Sequence, residues 1–162
     1  MKKGNKKIGS WFSWSILMVL LIGSAKYISD NHYQVMLIQG KSMEPTYHHL
    51  QFVILDKQKK EYDYNDVIAF WCDSLNTYLV KRVIACPGDW VYINDGILYI
   101  NGHVNEHYRE MRIDFSGIAG KEIMLPENCY FVLGDNVSES KDSRYEEVGF
   151  VKQDTVLGKV VK

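Results

Sequence analysis

A serine that follows an apolar, strand-like run is the first residue of this sequence with the type and setting of a nucleophile. Ser42 lies in GKSMEPT, residues 40–46, directly after YQVMLIQ. Gly40 allows a close approach of the backbone, and Pro45 restricts the preceding residue to extended conformations, so Ser42 is expected at a stiff corner. A serine beside Gly and Pro is also a common turn former, and the segment alone leaves both interpretations open.

A lysine within an apolar strand offers the matching base. The run LVKRVIACP, residues 79–87, has the composition of a buried strand, whose alternation places Lys81 on one face with Leu79, Val83 and Ala85. Burial disfavours the ammonium form and lowers the pKa of a lysine, and a neutral amine can accept the proton of a serine hydroxyl. The alternative is an edge strand from which the Lys81 ammonium reaches water.

Histidine is the more usual base for a serine, but none of the histidines here has a setting that indicates catalysis. Each lies in a turn-like or juxtamembrane context: His32, His48, His49, His103 and His107. The cysteines are scattered with no CxxC spacing: Cys72, Cys86 and Cys129. We therefore expect no metal site, no cofactor and no disulfide framework, with at least one thiol unpaired within the monomer.

The elements that must position these residues are predicted to be mostly β, in antiparallel sheets. Short runs rich in Val, Ile, Tyr and Phe alternate with polar or glycine-containing breaks. The predicted strands are Tyr33–Gln39, Leu50–Asp56, Asp66–Trp71, Thr77–Ala85, Trp90–Asn94, Ile97–Ile100, Tyr130–Leu133 and Thr155–Val161. Two Asx-Gly pairs predict a meander over residues 90–104. Residues 105–128 are predicted as a loop or small excursion and residues 134–148 as a long irregular loop, the kind of segment that often carries function.

The N-terminal region predicts a membrane anchor. Four lysines within residues 1–7 precede an uncharged run of 18 residues, Ile8 to Ala25, which as a helix of about 27 Å just spans a hydrocarbon core of about 30 Å. The lysine excess predicts a cytoplasmic segment 1–7, an anchor over 8–25 and an extracytoplasmic domain over 26–162. The alternative is a cleaved signal peptide ending at Ala25. The formal net charge of −1 gives no indication of a nucleic-acid surface.

Four segments of the sequence resemble the bacterial type I signal peptidases, and in particular their compact Gram-positive-like members. They are GKSMEPT, DVIAFW, LVKRVIACPGD and FVLGDNVSESKDSR, in the family's order and approximate spacing. The resemblance covers Lys2 to Lys162. It implies a membrane-bound serine endopeptidase with a Ser-Lys dyad that removes signal peptides from secreted pre-proteins. The implied fold is a mostly β catalytic domain whose apolar surface near the site meets the lipid bilayer.

The resemblance also implies roles for individual residues. Ser42 matches the nucleophile and Lys81 the general base. The supporting positions are Gly40 at the oxyanion hole, Ser140 as the serine that orients the lysine, and Asp142 with Arg144 as a pair that holds the site together. Cys86 departs from the family pattern, since a glycine is common there, as does YEEVGF after the arginine; both leave loop geometry and substrate preference open.

The family cuts after small residues at the first and third positions before the scissile bond. An extended substrate could pair with the strand Tyr33 to Gly40 and with the strand around Lys81. Its small side chains would face shallow pockets lined by residues such as Met36, Ile38 and Val80, although these three residues are equally consistent with plain core.

Three rival interpretations remain for the sequence. A self-cleaving repressor-like peptidase shares a Ser-Lys dyad, but its members are soluble regulators. A sortase-like transpeptidase is anchored and rich in β-structure, but uses a cysteine in a context absent here. A non-enzymatic anchored module would have no reason to keep the full set of site residues.

Overall fold

An N-terminal helix runs directly into two antiparallel sheets in the computed structural model, which describes the backbone of residues 6–161 and the side chains of residues 14–161 apart from 25 and 28–31. Helix α1 (Lys6–His32) contains the predicted anchor 8–25 and continues to the first strand. Residues 1–5 of the predicted cytoplasmic segment lie outside the described residues. Among the residues described, no helix meets the length and apolarity needed to cross a membrane.

The described chain forms eleven strands. In chain order they are β1 (Tyr33–Leu37), β2 (Phe52–Asp56), β3 (Val67–Cys72), β4 (Thr77–Ala85), β5 (Trp90–Asn94), β6 (Ile97–Ile100), β7 (His103–Val104), β8 (Ile123–Met124), β9 (Cys129–Leu133), β10 (Val151–Lys152) and β11 (Val156–Val161). Seven form one sheet in the order β1-β2-β11-β3-β4-β9-β10, and four form a second in the order β7-β6-β5-β8. The prediction of a mostly antiparallel β fold is confirmed.

All eight predicted strands are present, and β4, β5 and β6 have the predicted bounds. The three further strands, β7, β8 and β10, have two residues each, which is too short for any alternation in the sequence to reveal. Residues 105–128 therefore contain β8 as well as two short 3₁₀ helices, Glu106–Tyr108 and Gly117–Gly120. Residues 134–148 contain neither helix nor strand, as predicted. The cysteines at 72, 86 and 129 are all free thiols.

The large sheet buries apolar side chains on both faces, which explains why β3 reads as a continuous apolar run. Val67 and Ala69 pack into one cluster with Val53 and Leu55 of β2. Ile68 and its same-face neighbours of β3 pack into a second cluster, on the opposite face. Because side chains alternate along a strand, a strand between two cores has no polar face.

The large sheet curls so that β1 and the first half of β4 border one cleft. β1 is an edge strand, since β2 alone pairs with it within the described chain. β4 pairs with β3 from Thr77 to Arg82, and with β9 only from Arg82 onward. Residues Thr77 to Lys81 therefore have a strand partner on one side only, among the residues described. Two unpaired backbone edges thus face the same cleft.

Candidate active site

The structure brings Ser42 and Lys81 into direct contact across 39 residues of sequence. The Lys81 Nζ donates a hydrogen bond of 2.7 Å to the Ser42 Oγ and a second one of 3.1 Å to the Val80 carbonyl oxygen. Only 3% of the surface of Lys81 is exposed. This is the geometry that proton transfer between a hydroxyl and an amine requires.

Burial lowers the pKa of Lys81 from 10.5 to about 8, against the carboxylates of Asp142 and Asp135, which act in the opposite direction. The desolvation of the ammonium therefore outweighs the attraction of the two carboxylates. Near neutral pH about one tenth of the lysine is the free amine, which is far more than for an exposed lysine. The arrangement thus supplies a base without any histidine.

Ser42 lies on the loop that connects β1 and β2. Main-chain hydrogen bonds close the base of this loop, from Ile38 N–H to the Gln51 carbonyl (2.9 Å) and from Leu50 N–H to the Ile38 carbonyl (2.8 Å). Met43, which follows Ser42, is 1% exposed and anchors the loop in the core. The Ser42 carbonyl accepts a hydrogen bond of 3.0 Å from Asn136 N–H, so the loop 134–148 holds Ser42 from outside its own hairpin.

Gly40 forms a corner two residues before Ser42. Its φ of +97° lies in the region that favours glycine, and a Cβ there would meet no atom within 4 Å. The glycine is therefore needed for its backbone conformation and not for space. Its N–H donates a hydrogen bond of 3.0 Å to the His49 Nδ1. The Gly40 N–H, predicted to serve the oxyanion hole, is thus occupied in this conformation.

Ser140 lies at the site, but its hydroxyl does not contact Lys81 through a hydrogen bond. The Oγ is buried and has no hydrogen-bond partner among the described residues. The Lys81 Nζ is directed to Ser42 and to the Val80 carbonyl, and the expectation that Ser140 orients the lysine stays a prediction. Ser140 instead packs against Gly134, whose backbone also touches the Ser42 carbonyl.

Asp142 and Arg144 form a buried ion pair behind these residues. The guanidinium donates to the carboxylate through Nε (2.8 Å) and Nη2 (3.0 Å), and both side chains are at most 2% exposed. Asp142 also accepts from Gly134 N–H (3.1 Å), and Arg144 also donates to the carbonyls of Val137 and Ser140. The pair therefore ties together three points of the loop 134–148.

A second ion pair, between Arg82 and Asp135, was not assigned a role from the sequence. The Arg82 Nε donates to Asp135 Oδ1 at 2.7 Å, and Nη2 and the Thr46 hydroxyl both donate to Oδ2. Burial alone would raise the pKa of Asp135, but the hydrogen bonds from Arg82 and Thr46 outweigh it and hold that pKa below its usual value. The sequence could have indicated Asp135 through the pair Gly134-Asp135, which directly follows an apolar run.

A cleft of about 530 Å³ opens beside Ser42 and Lys81. The three residues predicted to form substrate pockets, Met36, Ile38 and Val80, all line it. Ile38 and Val80 are also buried members of a core cluster, against which Met36 packs. The two interpretations of these residues are thus compatible, because one side of each contacts the core while another borders the cleft.

Comparisons with known proteins find relatives over nearly the whole chain. The family model described as signal peptidase, peptidase S26, matches residues 11–162. A signal peptidase I of Bacillus licheniformis is 32% identical over 168 residues, which cover 97% of this chain and 90% of that protein. A signal peptidase I of Bacillus caldolyticus is 33% identical over 178 residues, covering 99% of this chain and 92% of that protein.

Among solved structures, a signal peptidase I of Enterococcus faecalis is 33% identical, with 63% of this chain and 97% of that chain covered and a TM-score of 0.48. The chain belongs to the signal peptidase family, peptidase S26, and is accordingly a serine endopeptidase.

Proposed function

We propose that this chain is a single-pass membrane protein that removes signal peptides from secreted pre-proteins, with Ser42 as nucleophile and Lys81 as general base. The observation that carries the proposal is the 2.7 Å hydrogen bond between the Lys81 Nζ and the Ser42 Oγ. A buried lysine with a pKa of about 8 has no evident structural reason to end against a serine hydroxyl at the edge of a cleft. The same pair explains acyl transfer without a cofactor.

The reaction follows from this geometry. The neutral Lys81 amine takes the proton of Ser42 as the Oγ attacks the scissile carbonyl, and the resulting ammonium donates that proton to the leaving amine when the peptide bond breaks. A water molecule then attacks the acyl-enzyme, with the Lys81 amine again as base, and releases Ser42. The backbone N–H of Ser42 is the donor assigned to the oxyanion, because the Gly40 N–H is occupied by His49.

The two unpaired edges that border the cleft support a peptide substrate in extended conformation. A strand inserted between β1 and residues Thr77 to Lys81 could form main-chain hydrogen bonds on both sides, which is recognition by β-augmentation. Its alternate side chains would point at the wall formed by Met36, Ile38 and Val80, which borders the cleft and also contacts the core. We assign the small side chains of an A-x-A-like sequence to this wall.

The membrane anchor is part of the proposal. It is supported by the uncharged run 8–25 within α1 and by the lysines that precede it. The β1-β2 hairpin that follows α1 exposes apolar side chains, with Val35 64% and Phe52 71% accessible. Such a surface next to the nucleophile loop is suited to the lipid bilayer. The N-terminus would be cytoplasmic and the catalytic domain extracytoplasmic, in the cell membrane.

The direct test is processing by the full chain in detergent. A pre-protein with an A-x-A site is incubated with the enzyme, and the N-terminus of the mature product is sequenced. Cleavage directly after the A-x-A site is expected, with a loss of about 10³-fold or more in kcat for Ser42→Ala. If Ser42→Ala retained most of the activity, the dyad would be wrong.

The topology needs its own test. The full chain is expressed with an N-terminal tag, and intact spheroplasts are treated with an external protease. The catalytic domain should be digested and the tag protected, and the protein should stay in the membrane pellet after alkaline carbonate extraction. Release into the supernatant would contradict the anchor.

A further inference from the structure

Besides the main-chain bonds at its base, a side chain joins the two arms of the loop that carries Ser42. His49, on the returning arm, accepts at Nδ1 a hydrogen bond of 3.0 Å from the backbone N–H of Gly40 on the outgoing arm. We infer that His49 is a positioning residue for the reaction, which holds the Gly40 corner and thereby the direction of Ser42. The inference rests on the proposed role of Ser42 as nucleophile.

The corner at Gly40 needs an additional hydrogen bond because it is exposed. Gln39, Gly40 and Lys41 are all exposed, and a Cβ at Gly40 would meet nothing within 4 Å, so packing does not restrain this stretch. A glycine without packing contacts has the largest backbone freedom of any residue. Main-chain bonds hold Ile38 before the corner, and after it the Lys41 and Ser42 carbonyls accept from Glu44 N–H (3.1 Å) and Asn136 N–H (3.0 Å). The His49 ring holds Gly40, which lies between these fixed points.

The bond also fixes the chemical form of His49. An imidazole nitrogen that accepts a hydrogen bond carries no proton, so this bond requires the tautomer with its proton on Nε2. In this form the ring keeps the Gly40 N–H from turning toward the cleft. His49 is not a base for Ser42, because Ser42 is already paired with Lys81.

Loss of the hydrogen bond between His49 and Gly40 should slow catalysis more than it weakens the binding of substrate. The substrate edges, β1 and residues Thr77 to Lys81, lie in the sheet and do not depend on the His49 ring. The Ser42 hydroxyl, in contrast, reacts only from a narrow range of positions, and a displacement of about 1 Å can cost about 10²-fold in rate. His49 should therefore contribute to kcat and leave KM nearly unchanged.

The chain offers a matched control in the neighbouring histidine. His48 is also exposed, and its backbone N–H donates to the Gln51 Oε1, while its ring makes no hydrogen bond with any residue described here. Replacement of His48 removes the same ring from the same turn without touching Gly40. A general effect of histidine loss on this loop would appear in both variants.

The experiment compares His49→Ala, His49→Asn and His48→Ala in the full chain, with kcat, KM and Tm measured on the A-x-A pre-protein. We expect His49→Ala to lower kcat about 10- to 100-fold with KM and Tm nearly unchanged. His49→Asn, whose amide oxygen can accept close to the position of Nδ1, should recover most of kcat, and His48→Ala should equal the wild type.

Three results would overturn the inference: a wild-type kcat in His49→Ala, an equal loss in His48→Ala, or no recovery in His49→Asn. Parallel assay of Ser42→Ala separates this inference from the proposed function. If Ser42→Ala is inactive and His49→Ala is normal, only the role of His49 fails. If Ser42→Ala is active, the dyad itself fails.

Discussion

Gly134 and Ser140 are packed so closely that no side chain fits between them. A Cβ on Gly134 would lie 2.6 Å from the Ser140 Cβ and closer still to its Oγ, and 2.5 Å from the Ser42 carbonyl oxygen. The glycine thus keeps the loop 134–148 in contact with the nucleophile. Its backbone N–H is held by Asp142, so the glycine is fixed on both sides.

Gly134→Ala should therefore be nearly inactive. The added methyl must displace the Ser42 carbonyl or the Ser140 side chain, at a cost of about 1–3 kcal/mol in stability, and a shift of Ser42 lowers the rate by about 10²-fold or more. Kinetics together with thermal unfolding would check this. Gly102→Ala is the control for a glycine replacement without a clash, because Gly102 lies away from the site and a Cβ there meets nothing, although its φ of +77° disfavours any other residue. It should lose some stability and keep its kcat.

Asp142→Ala should destabilise the protein and abolish activity together. The change leaves the buried guanidinium of Arg144 without its partner and removes the acceptor for Gly134 N–H. Breaking a buried ion pair from one side typically costs about 3–5 kcal/mol. Denaturant unfolding followed by circular dichroism would measure the loss.

The exposed pair of Arg112 and Asp114 provides the comparison for that experiment. Their side chains are 82% and 83% accessible, and water replaces the lost contact. Asp114→Ala should unfold at the wild-type denaturant concentration. A variant Asp142→Ala that is inactive but as stable as the wild type would instead indicate that Asp142 acts directly on the chemistry.

The pH dependence of kcat/KM should report the pKa of Lys81. Since the active form is the neutral amine, the rate should rise about tenfold per pH unit up to a pKa of about 8 and then level off. Lys81→Arg should be inactive because a guanidinium stays protonated, and Lys81→Met should be equally inactive. The rising limb should persist in a variant with both His48 and His103 replaced by Ala. A limb that vanished with those histidines would contradict the role of Lys81.

The depressed pKa of Lys81 also makes the fold more stable at high pH. Between about 8 and 10.5 the unfolded chain binds a proton that the folded chain does not, so stability must rise with pH across this window and be independent of it below. The gain amounts to about 3 kcal/mol. The free energy of unfolding of the wild type minus that of Lys81→Met, measured from pH 7 to 10.5, isolates this contribution from other titrating groups. A flat difference would show that the lysine is not desolvated.

The bounds of some strands could be predicted from the sequence, because local turn residues mark where these strands end. β4, β5 and β6 were predicted with their bounds because their apolar runs end at glycine-containing turns with known preferences. β8 and β10 were missed because two residues form a strand only when a neighbour presents its edge. Ser42 and Lys81 were singled out by their settings, and the resemblance joined them into one site.

The supporting contacts of the site could not be derived in this way. Arg82 and Asp135 are separated by 53 residues, and nothing in a local pattern pairs them. The tie between His49 and Gly40 depends on a left-handed glycine and on a turn that brings a ring back over nine residues. The role of Ser140 in orienting Lys81, implied by the resemblance, stays a prediction, since the Lys81 Nζ bonds to Ser42 and to the Val80 carbonyl.

The position of β11 in the large sheet determines at which stage of synthesis and folding the active site can form. β11 pairs with β2 on one side and with β3 on the other, so it joins the hairpin that carries Ser42 to the hairpin that carries Lys81. Of the eleven described strands it is the last to leave the ribosome. A nascent chain therefore holds Ser42 and Lys81 on two halves of an unfinished sheet. The enzyme should have no peptidase activity until this strand has been inserted, which limits premature cleavage during its own synthesis.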